Sequence, residues 1–165
     1  MELTGADAAV TQASTLLEDF RKRAWPILHI QHLSIRQGAT FFLPHTSGAE
    51  IHPLVRPHPE ETVSIKHYPN AFRETQLLEH LRALKTKRLV FAGMMTHMCV
   101  DTTVRAAADL GFENLLAQDA CATRALQFHE RRVEAQEVQT AYLAALDGPF
   151  ARVLPTNAIV ENLTI

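Results

Sequence analysis

The sequence predicts an α/β fold in which a mostly parallel β-sheet carries helices on both faces. Short apolar segments typical of strands alternate along the chain with longer segments whose apolar residues recur at helical spacing. This alternation favours a parallel sheet, because each crossover between parallel strands has room for a helix. The chain has 165 residues, 47% hydrophobic and 21% charged, which is ordinary for one globular domain spanning 1–165.

The helices and strands can be assigned in order along the chain. Helical assignments rest on apolar residues three and four apart, as in the run from Ala9 to Phe20, and strand assignments on short apolar runs. The predicted helices are 6–24, 73–85, 99–111 and 128–146, with a short final helix or turn at 156–163. The predicted strands are 26–33, 62–66, 88–93, 114–120 and 151–155. Strand 88–93 is apolar enough for burial on both faces, and Gly111 should end the third helix. Residues 34–61 contain several prolines and no periodicity, so we expect a long loop.

Composition excludes several classes of protein. The formal net charge is −2, and no basic run provides a nucleic-acid footprint. No apolar stretch approaches the ~20 residues that span a bilayer, and the start of the chain lacks the regions of a signal peptide. The two cysteines, Cys99 and Cys121, form neither a CxxC pair nor a disulfide framework. We therefore expect a cytoplasmic protein that binds neither nucleic acid nor membrane.

Cys99 lies where predicted strand 88–93 passes into predicted helix 99–111. In parallel sheets, ligands bind at the carboxyl ends of strands. The unpaired N–H groups at a helix start favour an anion, and a thiolate is such an anion. The position therefore points to a reactive thiol. The alternative is a small buried hydrophobic residue, and position alone leaves both open.

The segment AGMMTHMCVDTTVRAAADLGF closely resembles the signature of the isochorismatase-like cysteine hydrolases, a superfamily that also contains nicotinamidases and carbamoylases. The segments HIQH, SGAEIHP, SIKHYPNAF and QDACATR extend the resemblance from about residue 1 to residue 160. It implies a Rossmann-like three-layer sandwich that hydrolyses a small amide or a related C–N or C–O bond. It also implies a homodimer or homotetramer whose only other partner is a small-molecule substrate.

The resemblance assigns roles to individual residues. Cys99 matches the family's nucleophile, and Lys66 matches a lysine that supports charge and proton movements during covalent catalysis. Considered alone, Lys66 would be taken for a solvated lysine at a strand end. A cis peptide bond is implied between Met94 and Met95, aiming the Met95 and Cys99 amides at a developing oxyanion. The side chains proposed to line the substrate pocket are His32, Phe41, Phe42, Asn70, Phe72 and His97. Core or structural roles are open alternatives for the phenylalanines and for His97.

The chain departs from the family pattern in its first strand. Family members carry an aspartate, in an Asp-x-Gln motif, at the end of a strand that precedes the first helix. Here no Asp-x-Gln occurs, and no aspartate lies between Asp19 and Asp101. That strand is central in the family's sheet, between the strands matching 26–33 and 88–93. Its absence therefore predicts a gap or unpaired backbone at that place.

The missing strand has two explanations. We expect that the natural protein begins upstream and that Met1 is an internal methionine. The alternative is a non-catalytic homologue, used for binding or assembly, whose sheet is closed in another way. In that case Asp119 is a candidate substitute for the aspartate, although an acidic residue at a strand end also caps turns. Without the first strand we expect weak or no turnover.

Neither a metal nor a cofactor is expected. Nicotinamidases have an aspartate-and-histidine metal site after the second strand, whereas here His29 and His32 fall on opposite faces of a predicted strand. The glycines lack the GxGxxG spacing of a dinucleotide site. Thiol redox chemistry would use Cys121 as the resolving cysteine. It is distant from Cys99 in sequence, but both follow strand ends.

Overall fold

A computed structural model of the chain describes residues 3–163 and has an α/β architecture. The helices are α1 (Ala6–Lys22), α2 (Leu77–Ala83), α3 (Asp101–Asp109), α4 (Ala135–Leu146) and α5 (Thr156–Asn162). The strands are β1 (Leu28–His32), β2 (Thr62–Lys66), β3 (Arg88–Met94), β4 (Glu113–Ala122), β5 (Leu126–Phe128), β6 (Arg131–Val133) and β7 (Arg152–Leu154). A π-helical turn, Thr96–Val100, joins β3 to α3. The long loop predicted at 34–61 contains two short 3-10 turns, Ser47–Ala49 and Pro53–Val55.

The α/β class is confirmed, and the pairs β1–β2, β3–β4 and β4–β7 are all parallel. In the larger sheet the order is β3-β4-β7. Helices α1 and α5 cover one face of it, where Leu16 and Ile159 pack on Leu115. Helices α3 and α4 cover the other face, where Val104 and Leu146 pack on Leu116. β4 is consequently the most deeply buried strand.

Two predicted helices are wrong in extent. Residues 126–133 belong to an antiparallel hairpin of β5 and β6 rather than to the start of α4. α4 begins at Ala135 because Glu134 and Glu137 form a reciprocal capping box, which fixes the helix start. The helix predicted at 73–85 begins only at Leu77. The hydroxyl of Thr75 holds the preceding turn by donating to Ala71 O (2.6 Å) and accepting from Leu77 N (3.3 Å).

The helix expected to begin at Cys99 starts earlier in the chain. Its first helical residues are those of the π-helical turn, so that Cys99 lies inside the turn and α3 follows. The end is where the sequence predicted it. Gly111 has φ +88°, a left-handed conformation that glycine adopts without strain, and its N–H donates to Ala108 O (2.9 Å).

Between β1 and β3 the sheet is interrupted. β1 pairs only with β2, in parallel register from Leu28↔Thr62 to His32↔Lys66, and within residues 3–163 no bridge joins β1 to β3. A cavity of about 700 Å³ lies on the α2 side of the interruption and one of about 470 Å³ on the α1 side. Both are lined by Leu28 and Ile30 of β1 and by Val90 and Ala92 of β3. The gap therefore passes through the sheet, at the place where the sequence predicted unpaired backbone.

The gap explains why β3 is less buried than predicted. Its residues are intermediate or exposed throughout, whereas the expectation was burial on both faces. One edge of β3 pairs with β4, but the other faces the cavities, so its side chains lack neighbours there.

Side-chain contacts link the β1–β2 pair to the rest of the molecule. Leu28 of β1 and Leu89 of β3 both pack on a cluster built from Leu77 and Leu81 of α2. On the other side, Arg21 of α1 bonds to Glu61, the residue before β2.

Among the helices of residues 3–163, none combines the length and the hydrophobicity that a membrane span requires.

Candidate active site

Three strand ends bring the candidate catalytic side chains together. His32 ends β1 and Lys66 ends β2, and the two residues are partners in the β1–β2 register. Cys99 lies in the π-helical turn that follows β3. Because the strands are parallel, all three residues lie at the carboxyl edge, where ligands bind in sheets of this type.

The central group is the ammonium of Lys66. Its Nζ donates to Cys99 Sγ at 3.1 Å and to Tyr68 O at 2.9 Å. It also lies 2.8 Å from His32 Nδ1, which in turn lies 4.0 Å from Cys99 Sγ. The three side chains therefore form one cluster, with Lys66 bonded to both other members.

The ammonium of Lys66 is buried among its hydrogen-bond partners. Lys66 is only 4% exposed, and burying a cation without a partner is costly. Of the three bonding partners named above, only the sulfur can carry a negative charge. Burial, followed by the charge of Lys66, lowers the pKa of His32 to about 4. His32 is thus neutral at pH 7, and its Nδ1 accepts a hydrogen bond from Lys66.

The predicted cis peptide bond is present between Met94 and Met95. The preceding residue, Gly93, has φ +143°, a conformation that residues with side chains rarely adopt. In the turn that follows, the N–H groups of Met98 and Val100 both donate to Met95 O, at 3.0 and 3.3 Å.

An aromatic wall stands beside His32. The ring of Phe42 stacks on His32 with centroids 4.9 Å apart, and Phe41 meets Phe42 edge-on at 5.4 Å. The loop returns to β1 at this point because Ser34 N donates to Phe42 O (2.8 Å). His45 in the same loop has a left-handed φ of +63°, a conformation that glycine adopts more readily.

The other predicted pocket residues make contacts of their own, and Phe72 shares a cavity with Lys66 and Cys99. Phe72 lines the 700 Å³ cavity but stacks on Phe112 beside α2. The side chain of Asn70 accepts from Phe72 N (2.9 Å), a local turn contact. His97 bonds to the hydroxyl of Thr123. Burial, and then the charge of Arg124, lowers the pKa of His97.

Cys121 lies in the core, and Asp119 contacts the start of α5. Cys121 is paired in register with Gly93, but its thiol is buried in the core, and burial raises its pKa to about 12. Both cysteines are free thiols. Asp119 Oδ1 accepts from the N–H and the hydroxyl of Thr156, at 2.8 and 2.7 Å, and so holds the first residue of α5.

Sequence patterns gave no signal for several residues that hold the site. The hydroxyl of Thr103 in α3 accepts from Ala71 N (3.1 Å) and donates to Pro69 O (3.3 Å), which fastens α3 to the segment after β2. Thr96 and Gln139 join the π-helical turn to α4. These contacts join elements that are distant in sequence, and no local motif predicts them.

From residue 3 to residue 163, no three His, Cys, Asp or Glu side chains are grouped as a metal ion would require.

In this chain a thiol and a buried ammonium lie together at the carboxyl edge of a parallel α/β sheet. The fold and the site are therefore those of an α/β protein whose site is centred on a cysteine. The chain belongs to the isochorismatase family, because residues 2–147 match the Isochorismatase domain. It is 44% identical over 161 residues to the uncharacterized isochorismatase family protein YddQ of Bacillus subtilis, covering 98% of this chain and 89% of that protein.

A solved structure and a further relative agree with this assignment. The crystal structure of an isochorismatase hydrolase homologue from Oleispira antarctica superposes with a TM-score of 0.93 and 41% identity, covering 97% of this chain and 84% of that one. Nicotinamidase 3 of Arabidopsis thaliana is 35% identical over 89 residues, which cover 54% of this chain and 44% of that protein. The chain is thus a member of the isochorismatase family.

Proposed function

We propose that Cys99 is the nucleophile of a hydrolase that cleaves a small amide or a related C–N or C–O bond. The observation that carries the proposal is the 3.1 Å contact between Cys99 Sγ and the buried ammonium of Lys66. An adjacent cation stabilises a thiolate, which is the nucleophilic form of cysteine. The likeness to a nicotinamidase supports an amide as the substrate.

In the first step, the Cys99 thiolate attacks the carbonyl carbon and an S–C bond forms. The C–N bond then breaks, and Lys66 donates a proton to the departing amine, which leaves a thioester and a neutral lysine. In the second step, Lys66 takes a proton from a water molecule whose oxygen attacks the thioester. The S–C bond breaks, the acid leaves, and the thiolate and ammonium are restored.

His32 and the aromatic wall suit a small substrate with an apolar face. Neutral His32 keeps one N–H of Lys66 directed away from the sulfur, so that the ammonium has a fixed orientation. Phe41 and Phe42 offer ring surface beside the thiol. Roles for Met94 and Met95 in binding an oxyanion, and pocket roles for Asn70, Phe72 and His97, stay predictions. So do a single domain over 1–165, a cytoplasmic location, and assembly as a homodimer or homotetramer.

A second candidate function is a non-catalytic homologue with a binding or assembly role. One observation favours it: the gap between β1 and β3 opens beside both Lys66 and Cys99, which line its cavities. Because the sheet is interrupted next to the site, the cluster of Cys99, Lys66 and His32 lacks a neighbouring strand on one side. The hydrolase therefore predicts weak turnover that depends on Cys99, whereas the non-catalytic homologue predicts no turnover even where Cys99 is activated.

Alkylation by iodoacetamide, with peptide mapping, tests the activated thiol. We expect Cys99 to react at pH 7 while Cys121, which is buried in the core, does not. Lys66→Met should slow the reaction of Cys99 about tenfold, because it removes the neighbouring cation that stabilises the reactive thiolate. Lys22→Met, which removes an exposed lysine, is the matched control and should change nothing.

Hydrolysis of a panel of small amides then separates the two candidate functions. Amine release that disappears in Cys99→Ser would support the hydrolase. An activated Cys99 without turnover of any amide would favour the non-catalytic homologue. Equal, slow alkylation of Cys99 and Cys121 would overturn the proposed nucleophile.

A further inference from the structure

From the contacts of its side-chain amide, we infer that Gln139 of α4 is a positioning residue for Cys99, a role that rests on the proposed function. Gln139 accepts a hydrogen bond from Thr96 Oγ1 at 2.7 Å. Its Nε2 donates to Cys121 O at 3.2 Å and to Gln118 O at 3.4 Å. One side chain thereby joins α4, the end of β4 and the turn that carries the nucleophile.

The orientation of the amide follows from its partners. Both carbonyl oxygens of β4 can only accept, so the nitrogen must face them and the oxygen must face Thr96. The hydroxyl of Thr96 therefore donates, and the acceptor and both donors of Gln139 are used. Thr96 is fully buried, so removing its partner would leave an unsatisfied hydroxyl, which is unfavourable.

Thr96 lies in the same turn as Cys99, so its hydrogen bond to Gln139 affects the position of the thiol. Thr96 is the first residue of the π-helical turn, and Cys99 is the fourth. π-helical turns are rare and often occur at functional sites. Within the turn, Val100 N donates to Met95 O at 3.3 Å, a longer bond than that of Met98 N at 3.0 Å. The Thr96–Gln139 bond fastens the beginning of this turn to the core and so sets where Cys99 Sγ lies relative to Lys66 Nζ.

The test compares Gln139→Met with Gln136→Met on the same helix. Methionine preserves the unbranched shape but cannot form the three hydrogen bonds. Gln136 is exposed, so its replacement is the matched control. For each variant we would measure the rate of Cys99 alkylation by iodoacetamide against pH, at a temperature well below thermal unfolding. The pH at half-maximal rate is the readout, because a merely structural residue would lower thermal stability without moving it.

We expect Gln139→Met to raise that pH and to slow alkylation at pH 7 by roughly tenfold, within the ~100-fold that a displacement of ~1 Å can cost. Gln136→Met should match the parent protein. An unchanged pH profile in folded Gln139→Met would overturn the inference.

Two further variants keep the test decisive if Gln139→Met does not fold. Thr96→Ser retains the hydroxyl and should preserve the profile, whereas Thr96→Val has the same shape without it and should shift the profile. Equal profiles for the two would contradict the inference. Lys66→Met distinguishes a failure of the positioning role from a failure of the proposed nucleophile. If it shifts the profile and the Gln139 and Thr96 variants do not, the proposed nucleophile stands and the positioning role falls. If Lys66→Met also has no effect, both fail.

Discussion

Glu61 fastens the β1–β2 pair to the rest of the molecule, and replacing it should show how much that attachment contributes. Arg21 of α1 donates from Nε and Nη2 to the two carboxylate oxygens, each at 2.8 Å. His29 Nε2 of β1 lies 2.8 Å from Oε2, and His58 N donates to the same oxygen at 2.9 Å. Because β1 has no bridge to β3 within residues 3–163, this carboxylate is a principal link across the gap on the α1 side.

The magnitude follows from burial and partner count. The side chain of Glu61 is 9% exposed and that of Arg21 is 21% exposed. Breaking a buried ion pair costs about 3–5 kcal/mol, and the partial exposure of Arg21 reduces this. Glu61→Gln should therefore lower the free energy of unfolding by about 2–4 kcal/mol. Glu113→Gln is the control, since its pair with Arg88 is exposed and such pairs contribute about 0–1 kcal/mol.

Urea unfolding followed by circular dichroism at pH 7 measures both variants. Arg21 holds the pKa of Glu61 well below its ordinary value of 4.5, so the carboxylate binds fewer protons in the folded state than in the unfolded one. Its contribution is full above that ordinary value and is lost as the pH falls further. The difference between parent and Glu61→Gln should thus narrow below pH 4.5. A loss at pH 7 no larger than that of Glu113→Gln would refute this account of the attachment.

Further predictions concern the start of α5, the link to α3 and the response to acid. Asp119→Ala should cost about 1–3 kcal/mol, because it leaves the buried hydroxyl of Thr156 without its acceptor, and should leave Cys99 alkylation unchanged, whereas slower alkylation would indicate that Asp119 takes part in the site. Thr103→Val should destabilise by about 1–3 kcal/mol in urea unfolding, and Thr103→Ser, which keeps the hydroxyl, by less. The pKa of His32 is about 4 in the folded state and 6.5 ordinarily, so the unfolded state binds more protons between those values. Thermal stability should fall as the pH decreases through that window, and His32→Asn should flatten the slope; equal slopes would contradict the lowered pKa of His32, which burial and then the charge of Lys66 produce.

The sequence by itself determined the class of fold and the family. Strand and helix periodicity are local properties, and so the strand at 62–66 and the left-handed Gly111 lie where they were predicted. The signature around Cys99 indicated the family, which the match to the Isochorismatase domain shows. The departure from the family pattern also predicted unpaired backbone between β1 and β3, and within residues 3–163 no bridge joins these two strands.

Tertiary structure decided the rest. The hairpin at 126–133 was missed because its pairing competes with helical periodicity that is equally plausible locally. The contacts of Lys66 with His32 and of Gln139 with Thr96 join residues 34 and 43 positions apart. Such contacts depend on which strand ends meet at one edge of the sheet and on which helix packs above them. Local sequence patterns do not predict these contacts, because the contacts join residues that are far apart in the chain and depend on how the whole chain packs.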